Sequence, residues 1–419
     1  MTATPHKPRP QPTPQHLPFL TLVLLLLMAL HACHGTLRSW LSGRYRATAT
    51  FRRALDICLD EYVESRPTDE LVRGAVEGMV NSLADPHSAF LAPPDNHRLS
   101  ENEAGKYAGL GVLIRLRNER LVIQKVFEGS PAEAAGLQRA DVILSASELD
   151  PEGLKPPVVT DLSQITNLAK TTAVLRGKIG TRVTLGILRG EEKLDITVER
   201  REIKRPATEH RVLAGQIGYL RISDFPDTVA LQVAAAIAEL RRKEVRCLLI
   251  DLRGNVGGFL DEAVRVADLF IADGVIVSTR NRNHHEDRVF RASPGGPAED
   301  LPLAVVVDGG SASAAEVVAG SLQDHERARL VGTKTYGKGA VSKRFPLADG
   351  SGILLSTGRY HLPKGRQIEG KGLEPDLVVQ PPKPPKREDI DKLPPDAELP
   401  DPQLDAAEKL LREQLAAGG

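Results

Sequence analysis

The chain has 419 residues, of which 41% are hydrophobic and 26% are charged. This composition excludes a disordered or fibrous protein and predicts two or three globular domains with a sizeable core. Lysine plus arginine and aspartate plus glutamate number 55 each, so no charge excess points to nucleic acid or an anionic membrane surface as a partner.

The N-terminus has the pattern of a secretory signal. A proline-rich leader with Lys7 and Arg9 precedes LPFLTLVLLLLMAL, which is short for a transmembrane span. Residues 1–33 are predicted to be a signal peptide or lipoprotein signal. Cys33 follows a small residue in LHAC, as in a bacterial lipoprotein cleavage site, although His31 is unusual there. Lipidation, ordinary cleavage and an uncleaved anchor remain open, and each predicts export to the bacterial periplasm or the periplasmic face of a membrane.

Residues 48–100 are predicted to form an N-terminal helical segment. Apolar residues are spaced three and four apart in two stretches separated by RPTD, which predicts two helices with Thr68 or Asp69 capping the second. Cys58 in this pattern and Cys247 in the apolar run CLLI are interpreted as two packed thiols rather than a disulfide.

Residues 105–200 contain short strand-like runs separated by glycines. YAGLGVLIRL, RLVIQKVF, DVILSASEL and TRVTLGILRGEEKLDITVERREI read as strands, and EGSPAEAAGL adds a turn and a short helix. A small strand-rich module is predicted.

Residues 205–380 alternate between strand-like and helix-like stretches, which is typical of an α/β fold. IGYLRISDF, VRCLLIDLR and LAVVVD are separated by VALQVAAAIAELRRK and LDEAVRVADLFI, and a helix is predicted from about 313 to 325. The central strands are apolar throughout, so we expect both sheet faces to be covered. Residues 381–419 are predicted to be a proline-rich linker and the amphipathic helix LDAAEKLLREQLA.

Three glycine-marked turns follow apolar strands of the α/β region, where ligand sites gather in such folds. They are DLRGNVGG, DGGSASA and TKTYGKGA. Ser313 in the second turn falls at the start of its helix, where the N–H of Ala314 could hold an oxyanion. Gly257 or Gly258 offers a second N–H without a side chain in the way. The alternative is that Ser311 and Ser313 cap the helix.

A serine nucleophile needs a base. His325 lies more than three helical turns after Ser313, too far on a straight helix. Lys338 stands between two glycines in the third turn. A lysine desolvated in a pocket has its pKa lowered from about 10.4 and can accept the serine proton. A surface lysine in a glycine turn is the alternative, so the residues alone reach a Ser/Lys acyl-transfer site as a hypothesis.

Other motifs imply no cofactor. His284 and His285 are adjacent in NRNHHEDR, and neighbouring residues do not converge on one metal without further ligands, which favours a solvated loop. DLRGNVGG lacks the GxxxxGK[ST] arrangement of a nucleotide-binding loop, and no GxGxxG follows a suitable strand. We expect neither a metal nor a nucleotide.

These features resemble the carboxyl-terminal processing proteases, also called tail-specific proteases, of bacteria and chloroplasts. The resemblance covers roughly residues 48–376. It implies an α/β protease core of the ClpP/crotonase-like type, an inserted PDZ-like β-rich domain and an N-terminal helical segment. Six segments carry it in the same order: YVESRPTDELVRGAVEGMVNSLADPHSAFL, YAGLGVLI with EGSPAEAAGL, DLRGNVGGFLDEAVRVADLF, GGSASAAEVVAGSLQD, VGTKTYGKG and GRYHLPKGRQIEGKGLEPD.

The resemblance implies that Ser313 is the nucleophile and Lys338 the general base, with the N–H groups named above holding the oxyanion. A superficially similar motif, SASE from Ser145 to Glu148, lies in the strand-rich module and is not interpreted as a nucleophile. The family has a glutamine four residues after the lysine, which holds the amine by a hydrogen bond. Here that position is Ser342, whose shorter side chain would leave the lysine held through water, by another residue or less firmly.

The strand-rich module resembles a PDZ domain. Its GLGV loop would offer backbone N–H groups to a peptide's terminal carboxylate while an open strand edge pairs with the peptide. A purely structural module is the alternative. A turn that is usually Gly-Asp in the family is Ala140-Asp141 here, so its geometry is expected to differ. The residues of the loop are Gly109, Leu110, Gly111 and Val112.

The predicted function is an exported serine endopeptidase that cleaves proteins near their C-termini and recognises exposed substrate tails through the PDZ-like domain. One rival is a catalytically weak or inactive scaffold that acts as a PDZ-type adaptor. A crotonase-like acyl-thioester enzyme is the other, disfavoured by the signal and the PDZ-like module. The N-terminus is a candidate membrane anchor, and the first helices and the last helix would either form a homodimer or pack on their own chain.

Overall fold

A computed structural model describes Met28 and residues 43–117, 120–148, 158–162, 174–204, 206–382 and 400–417. Its contacts divide the chain into two compact units, residues 1–84 and 85–419. The predicted signal, apart from Met28, and the lipidation candidate Cys33 lie outside the described residues, as does most of the predicted linker. No helix in the described ranges is long and apolar enough to cross a membrane.

The first unit contains the helices α1 (Gly43–Glu61) and α2 (Thr68–Asn81). The two predicted helices are confirmed, but the predicted cap is wrong. Pro67 is the N-cap, and Thr68 and Asp69 already lie in the first turn, without a side-chain capping bond. Proline suits this boundary because its fixed φ matches the entry to the helix. Cys58 is exposed, so it is not a packed thiol, whereas Cys247 is buried and free as predicted.

The second unit opens with a strand and a helix and continues into the strand-rich module. The module's main sheet is antiparallel with the order β3-β4-β5-β7-β8 and β6 beside β5, and β2 pairs with β9. Buried residues alternate with less buried ones along β7 and in the first part of β4, as in a sheet with one face on a core. The elements are β1 (Ala89–Leu91), α3 (Pro93–Glu103), β2 (Lys106–Gly109), β3 (Val112–Arg117), β4 (Arg120–Val126), α4 (Pro131–Ala134), β5 (Val142–Glu148), β6 (Val158–Asp161), β7 (Arg182–Arg189), β8 (Glu192–Glu199) and β9 (Arg201–Lys204).

The α/β core contains a six-stranded sheet of order β10-β11-β12-β15-β16-β19, parallel except for β10. Strands β12 and β15, CLLID and LAVVV, are buried along their whole length, as their continuous apolar sequences predict. The elements are β10 (Thr208–Leu213), β11 (Ile217–Ile222), α5 (Val229–Arg242), β12 (Cys247–Asp251), α6 (Leu260–Asp268), β15 (Leu303–Val307), α7 (Ala314–Asp324), β16 (Arg329–Gly332), β19 (Leu377–Val378) and α8 (Pro402–Ala417).

Helices cover both faces of this sheet. Residues of α5, α6 and α7 belong to the main core cluster on one face. On the other face α8 buries Ala407, Leu410 and Leu411 against Tyr219 and Cys247. The last helix therefore packs on its own chain.

A second, antiparallel sheet lies beside the core, with the order β1-β18-β13-β14 and with β17 paired to β18. It positions the site because β17 begins directly after the TKTYGKG turn and β18 pairs along it. The remaining elements are β13 (Val275–Asn281), β14 (Arg288–Arg291), β17 (Ala340–Pro346) and β18 (Gly352–His361).

Candidate active site

Ser313 stands directly before α7, is 6% exposed and lies at the end of the helix where the dipole favours negative charge. Its φ of 56° and ψ of −116° are sparsely populated for a residue with a Cβ, at a cost on the order of 1–3 kcal/mol. Such strain collects at active sites, where surrounding contacts must hold it in place.

A buried carboxylate joins the serine turn to the lysine turn. Glu316 Oε2 accepts from the N–H of Ser313 at 2.9 Å and from the N–H of Lys338 at 2.8 Å. Its Oε1 accepts from the Thr335 hydroxyl at 2.5 Å and the Gly337 N–H at 2.8 Å. One carboxylate oxygen thus contacts the backbone of both Ser313 and Lys338, so the two residues lie in one site.

A second carboxylate holds the other side of the lysine turn. Glu369 Oε2 accepts from the N–H of Gly339 at 2.8 Å, and Glu369 Oε1 lies 3.1 Å from His87 Nε2. Lys338 itself is half-buried. Within the described part of the chain Lys338 forms no salt bridge. The backbone on both sides of Lys338 is therefore held by glutamates.

Ser342 does not take the place of the glutamine. Its Oγ is buried and has no hydrogen-bond partner among the described residues. A register shift between Val341 and Ser342 interrupts the pairing of β17 with β18. The short side chain does not bond the amine of Lys338, so other contacts hold the turn, among them the bonds of its backbone to Glu316 and Glu369.

Of the two candidate glycines, Gly257 has already donated its N–H to Asn255 Oδ1 at 2.9 Å. A Cβ on Gly257 would lie 2.8 Å from Ser313 Cβ, so glycine is required for the close approach of the two turns. The N–H groups of Gly258 and Ala314 make no hydrogen bond to any described residue. The N–H of Gly257 is therefore engaged in this structure, whereas those of Gly258 and Ala314 have no partner among the described residues.

The glycine turn and the serine turn are tied to each other by polar contacts. The N–H of Ala312 donates to the Asn255 carbonyl at 2.9 Å, and the N–H of Gly254 donates to Asp308 Oδ1 at 2.8 Å. The Ser311 hydroxyl donates to the Leu252 carbonyl at 2.8 Å, so Ser311 connects the two turns rather than capping the helix. Ser313 does occupy the N-cap position of α7, where Glu316 accepts from its backbone N–H.

Sequence reasoning missed Glu316 and Asn255. Glu316 is fully buried, and its signal is a lone acidic residue within the small apolar run AAEVVAG. A buried charge must be hydrogen-bonded, so an acidic residue there indicates partners from other segments. Asn255 follows the first glycine of RGNVGG and is also fully buried.

The other sequence candidates lie elsewhere or have structural partners. His325 Nε2 lies 2.8 Å from the Val275 carbonyl, and Ser145 lies in β5 of the strand-rich module. His284 and His285 are exposed, with His284 Nδ1 3.3 Å from Asp287. Among the residues that the structure describes, no group of three or more His, Cys, Asp or Glu could hold a metal ion.

The GLGV loop is held by its carbonyl groups. The Leu110 carbonyl accepts from the Ala132 N–H and the Gly111 carbonyl from the Phe127 N–H, both at 2.9 Å. The N–H groups of Leu110 and Gly111 bond no described residue. Val112 then begins β3, an edge strand of the sheet. Free N–H groups beside an open strand edge can receive a peptide's carboxylate and backbone.

The turn of Ala140 and Asp141 keeps a glycine-like backbone. Ala140 has a φ of 72°, a left-handed conformation that costs an alanine about 1–2 kcal/mol. The neighbouring carboxylate explains how the turn is held. Both Asp141 oxygens accept from Arg189 at 2.8 Å, and Oδ2 also accepts from the Gln138 N–H at 2.8 Å.

Comparisons with known proteins identify the family and the domains of the chain. Family models match residues 216–379 (Peptidase family S41), 108–199 (PDZ domain) and 39–93 (Activating protease CtpB N-terminal domain). The Carboxy-terminal-processing protease of Bartonella bacilliformis is 36% identical over 355 residues, covering 83% of this chain and 78% of that protein. The Probable CtpA-like serine protease of Staphylococcus epidermidis is 32% identical over 324 residues, covering 77% of this chain and 63% of that protein.

A solved structure of a Bacteroides fragilis protein assigned to the S41 proteases has a TM-score of 0.50 and 20% identity, covering 73% of this chain and 82% of that chain. This likeness bears on the fold alone. The fold, the family models and the Bartonella relative together lead to one conclusion. The chain is a serine peptidase of the S41 family, a carboxyl-terminal processing protease with a ClpP/crotonase-like α/β core and a PDZ domain.

Proposed function

We propose that this peptidase cleaves protein substrates near their C-termini through an acyl-enzyme on Ser313, with Lys338 as the general base. The observation that carries the proposal is the Glu316 oxygen that accepts from the backbone N–H groups of both residues. It supports a site in which serine and lysine are held together by the fold.

In the acylation step, neutral Lys338 Nζ takes the proton of Ser313 Oγ, and Oγ attacks the scissile carbonyl carbon. The negative charge moves to the carbonyl oxygen, which the free N–H groups of Gly258 and Ala314 stabilise. The carbon–nitrogen bond then breaks, and the lysine passes its proton to the leaving amine. The released fragment is the C-terminal piece of the substrate.

In the deacylation step, water replaces the released amine. Lys338 takes a proton from the water as its oxygen attacks the acyl carbon, and the same N–H groups hold the second oxyanion. The bond between the acyl carbon and Ser313 Oγ breaks, and the lysine returns a proton to Oγ. The shortened substrate leaves with a new terminal carboxylate.

Recognition of the substrate tail belongs to the PDZ domain in this proposal. The N–H groups of Leu110 and Gly111 receive the terminal carboxylate, and the edge of β3 pairs with the tail. This mode reads the end of a chain rather than its interior. It suits proteins with exposed C-termini.

The proposal also includes export, with the N-terminal apolar stretch as signal and Cys33 as the site of a lipid anchor. Fractionation of cells that produce the wild type and Cys33→Ala would test it. We expect wild type in the membrane fraction facing the periplasm and the variant in the soluble periplasm. Recovery of both in the cytoplasm would contradict export.

We further propose that the first unit forms a homodimer. Its helices and the segment between them expose apolar side chains, among them Phe51, Tyr62 and Met79 at 47%, 54% and 60%. The last helix is already packed on its own sheet. Light scattering should give a dimer for the full chain and a monomer for Phe51→Glu. A monomeric wild type would rule the dimer out.

A tail-binding scaffold without turnover is the second candidate function, because Ser342 makes no bond to the lysine. A cleavage time course on an unfolded protein with an apolar C-terminus separates the two. The full chain should cut, Ser313→Ala and Lys338→Ala should not, and Ser342→Gln should cut faster if the missing glutamine costs rate. Full activity in either alanine variant would remove the Ser/Lys assignment. Tail binding without cleavage by the wild type would favour the scaffold.

A further inference from the structure

Two motifs that the proposed mechanism does not use meet beside the lysine turn. DPHSAF supplies His87, and GRQIEGKG supplies Glu369, 282 residues later in the chain. His87 Nε2 lies 3.1 Å from Glu369 Oε1, and the two side chains are 9% and 26% exposed. Because a carboxylate only accepts hydrogen bonds, Nε2 carries a proton and donates it. The bond joins the segment before β1 to the segment after β18.

The turn that carries His87 is itself bonded to the core. Asp85 Oδ1 accepts from the N–H of His87 at 3.1 Å, and Asp85 Oδ2 accepts from the Ser88 hydroxyl at 2.6 Å. The Ser88 oxygen in turn accepts from the N–H of Ser356, in β18, at 3.0 Å. Strand β18 pairs with β17, which begins directly after the lysine turn. His87 is therefore anchored to the sheet that carries this turn.

The other oxygen of Glu369 bonds the backbone next to the general base. Glu369 Oε2 accepts from the N–H of Gly339 at 2.8 Å, and Glu316 Oε2 accepts from the N–H of Lys338 at 2.8 Å. Peptide units are planar, so these bonds restrain the two planes on either side of the Lys338 Cα. Together they set the direction in which the lysine side chain leaves the backbone.

Backbone bonds also hold the lysine turn, but through its carbonyl groups. The carbonyls of Gly337 and Gly339 accept from the N–H groups of Gly370 and Tyr360 at 2.9 and 2.8 Å. The N–H groups of Gly337, Lys338 and Gly339 all donate to carboxylates instead. The orientation of these N–H groups therefore depends on where the two carboxylates are held.

We propose that His87 is a positioning residue of this peptidase, which acts through Glu369 on the direction of the Lys338 side chain. The inference rests on the proposed role of Lys338 as general base. Among the described residues His87 is the partner of Glu369 Oε1, and the carboxylate is exposed enough to turn toward water once that partner is lost. The N–H of Gly339 then loses its acceptor, and the peptide plane after Lys338 is released.

Positioning from the backbone has particular weight in this chain. The Ser342 hydroxyl, at the position of the missing glutamine, has no hydrogen-bond partner among the described residues. The amine of Lys338 stands at the end of a long side chain, so a small rotation at its Cα moves Nζ further than it moves the backbone. Proton transfer from Ser313 Oγ requires Nζ within hydrogen-bond reach, and a displacement of about 1 Å can cost a large part of the rate.

The test measures cleavage by the full chain with His87→Leu and with His87→Gln. Leucine fills a similar volume but cannot donate, so we expect kcat to fall about tenfold while KM stays within about twofold of wild type. Glutamine places an amide N–H near the position of Nε2 and should restore kcat to within about threefold of wild type. Labelling of Ser313 by a small fluorophosphonate should follow kcat, because it needs an activated serine but no peptide binding.

His210→Leu is the matched control. His210 Nε2 lies 2.9 Å from Glu239 Oε2, so this pair joins β10 to α5 by a bond of the same kind outside the lysine turn. The control loses a histidine–glutamate bond without touching the base, so its kcat and labelling rate should stay within about twofold of wild type. Denaturant midpoints of all variants, measured alongside, show that the assays compare folded proteins.

A double-mutant cycle tests whether His87 acts through Glu369. Glu369→Ala alone should lower kcat at least as much as His87→Leu does. Adding His87→Leu to Glu369→Ala should then change kcat by less than about twofold, because the histidine no longer has a carboxylate to hold. Losses that multiply in the double variant would overturn the proposed route.

Three further results would overturn the inference. They are wild-type kcat and labelling in His87→Leu, an equal loss in His210→Leu, and no recovery in His87→Gln. The proposed function fails separately, and the role of His87 with it, if wild type neither cleaves protein nor reacts with the fluorophosphonate, or if Lys338→Ala keeps full activity. Activity that depends on Lys338 but not on His87 removes only the role of His87.

Discussion

The peptidase core and the PDZ domain hold their key loops in different ways. In the core, two buried or half-buried carboxylates add to the backbone bonds of the lysine turn, with Glu316 alone accepting four hydrogen bonds and Glu369 bonding the N–H of Gly339. In the PDZ domain, the GLGV loop is held by two backbone bonds through the carbonyls of Leu110 and Gly111.

The difference separates two kinds of sensitivity. A turn in which one charged side chain accepts from several N–H groups is sensitive to that residue, because its loss leaves those buried N–H groups unpaired. A loop held by backbone contacts depends instead on its conformation, and hence on the glycine that permits it. Substitutions in the core should therefore affect chemistry, and substitutions in the loop should affect tail binding.

The largest effect is expected for Glu316→Gln. A neutral amide offers one acceptor oxygen to a cluster of four donors, so the backbones of Ser313 and Lys338 lose their common anchor. We expect kcat/KM to fall about 100-fold and stability to fall by about 3 kcal/mol, measured by peptide cleavage and denaturant unfolding. Glu326→Gln is the control, because that side chain is 85% exposed. Equal losses in the two variants would contradict the special role of Glu316.

The second largest effect, a loss of tail-peptide affinity, is expected for Gly111→Ala. Gly111 has a φ of 86°, and a Cβ there would lie 2.2 Å from Ser130 Cβ, so the loop must move. Affinity for a fluorescent tail peptide with a free carboxylate should fall about tenfold or more, while kcat on a short untailed substrate stays within about twofold. Gly129→Ala is the matched control, because Gly129 also has a positive φ, 69°, but a Cβ added there would meet no atom within 4 Å. Unchanged tail affinity in Gly111→Ala would place the binding site elsewhere.

A smaller, pH-dependent effect is expected where the last helix joins the core. Asp401 accepts from Arg253 at 2.8 Å, ahead of α8. Burial raises the pKa of Asp401, but the hydrogen bond and charge of Arg253 outweigh it and lower the pKa below its usual value. The ionised carboxylate therefore contributes stability above about pH 4 that is lost as the pH falls through the folded-state pKa.

Asp401→Asn tests this contribution. The free energy of unfolding, measured with denaturant at pH 7 and pH 3.5, should be about 1 kcal/mol lower for the variant than for wild type at pH 7. The difference between the two proteins should be smaller at pH 3.5. Asp405→Asn, on the exposed side of the same helix, should follow wild type at both values. A difference between wild type and Asp401→Asn that does not shrink in acid would contradict the charge-based account.

The smallest effect is expected at Ala140 in the PDZ domain. Ala140→Gly removes the strain of an alanine in the left-handed region. Glycine also raises the conformational entropy of the unfolded chain, which offsets part of this gain, so we expect a net stabilisation of about 0.5 kcal/mol. Ala134→Gly, at a helical position in the same domain, should destabilise by about 0.5–1 kcal/mol. A change of the same sign in both variants, read from the unfolding midpoint, would show that backbone strain at Ala140 is not the cause.

Much of the fold could be predicted because its signals are local. The apolar runs CLLID and LAVVV are buried strands, the predicted helix near 313 to 325 is α7, and the terminal amphipathic stretch is α8. Exposure was harder to predict. Cys58 shares the helical pattern of its neighbours yet is exposed, because a pattern does not state which stripe of a helix finds a partner.

The sequence by itself determined the order of the elements, the glycine turns and the family, because periodicity, turn chemistry and motifs are written in neighbouring residues. Only the tertiary structure decided which N–H groups near Ser313 are free and that Glu316 binds both turns. Each of these facts is a hydrogen bond made across folded chain segments. Such a partner is chosen by distance and burial in the folded chain, which no local pattern records.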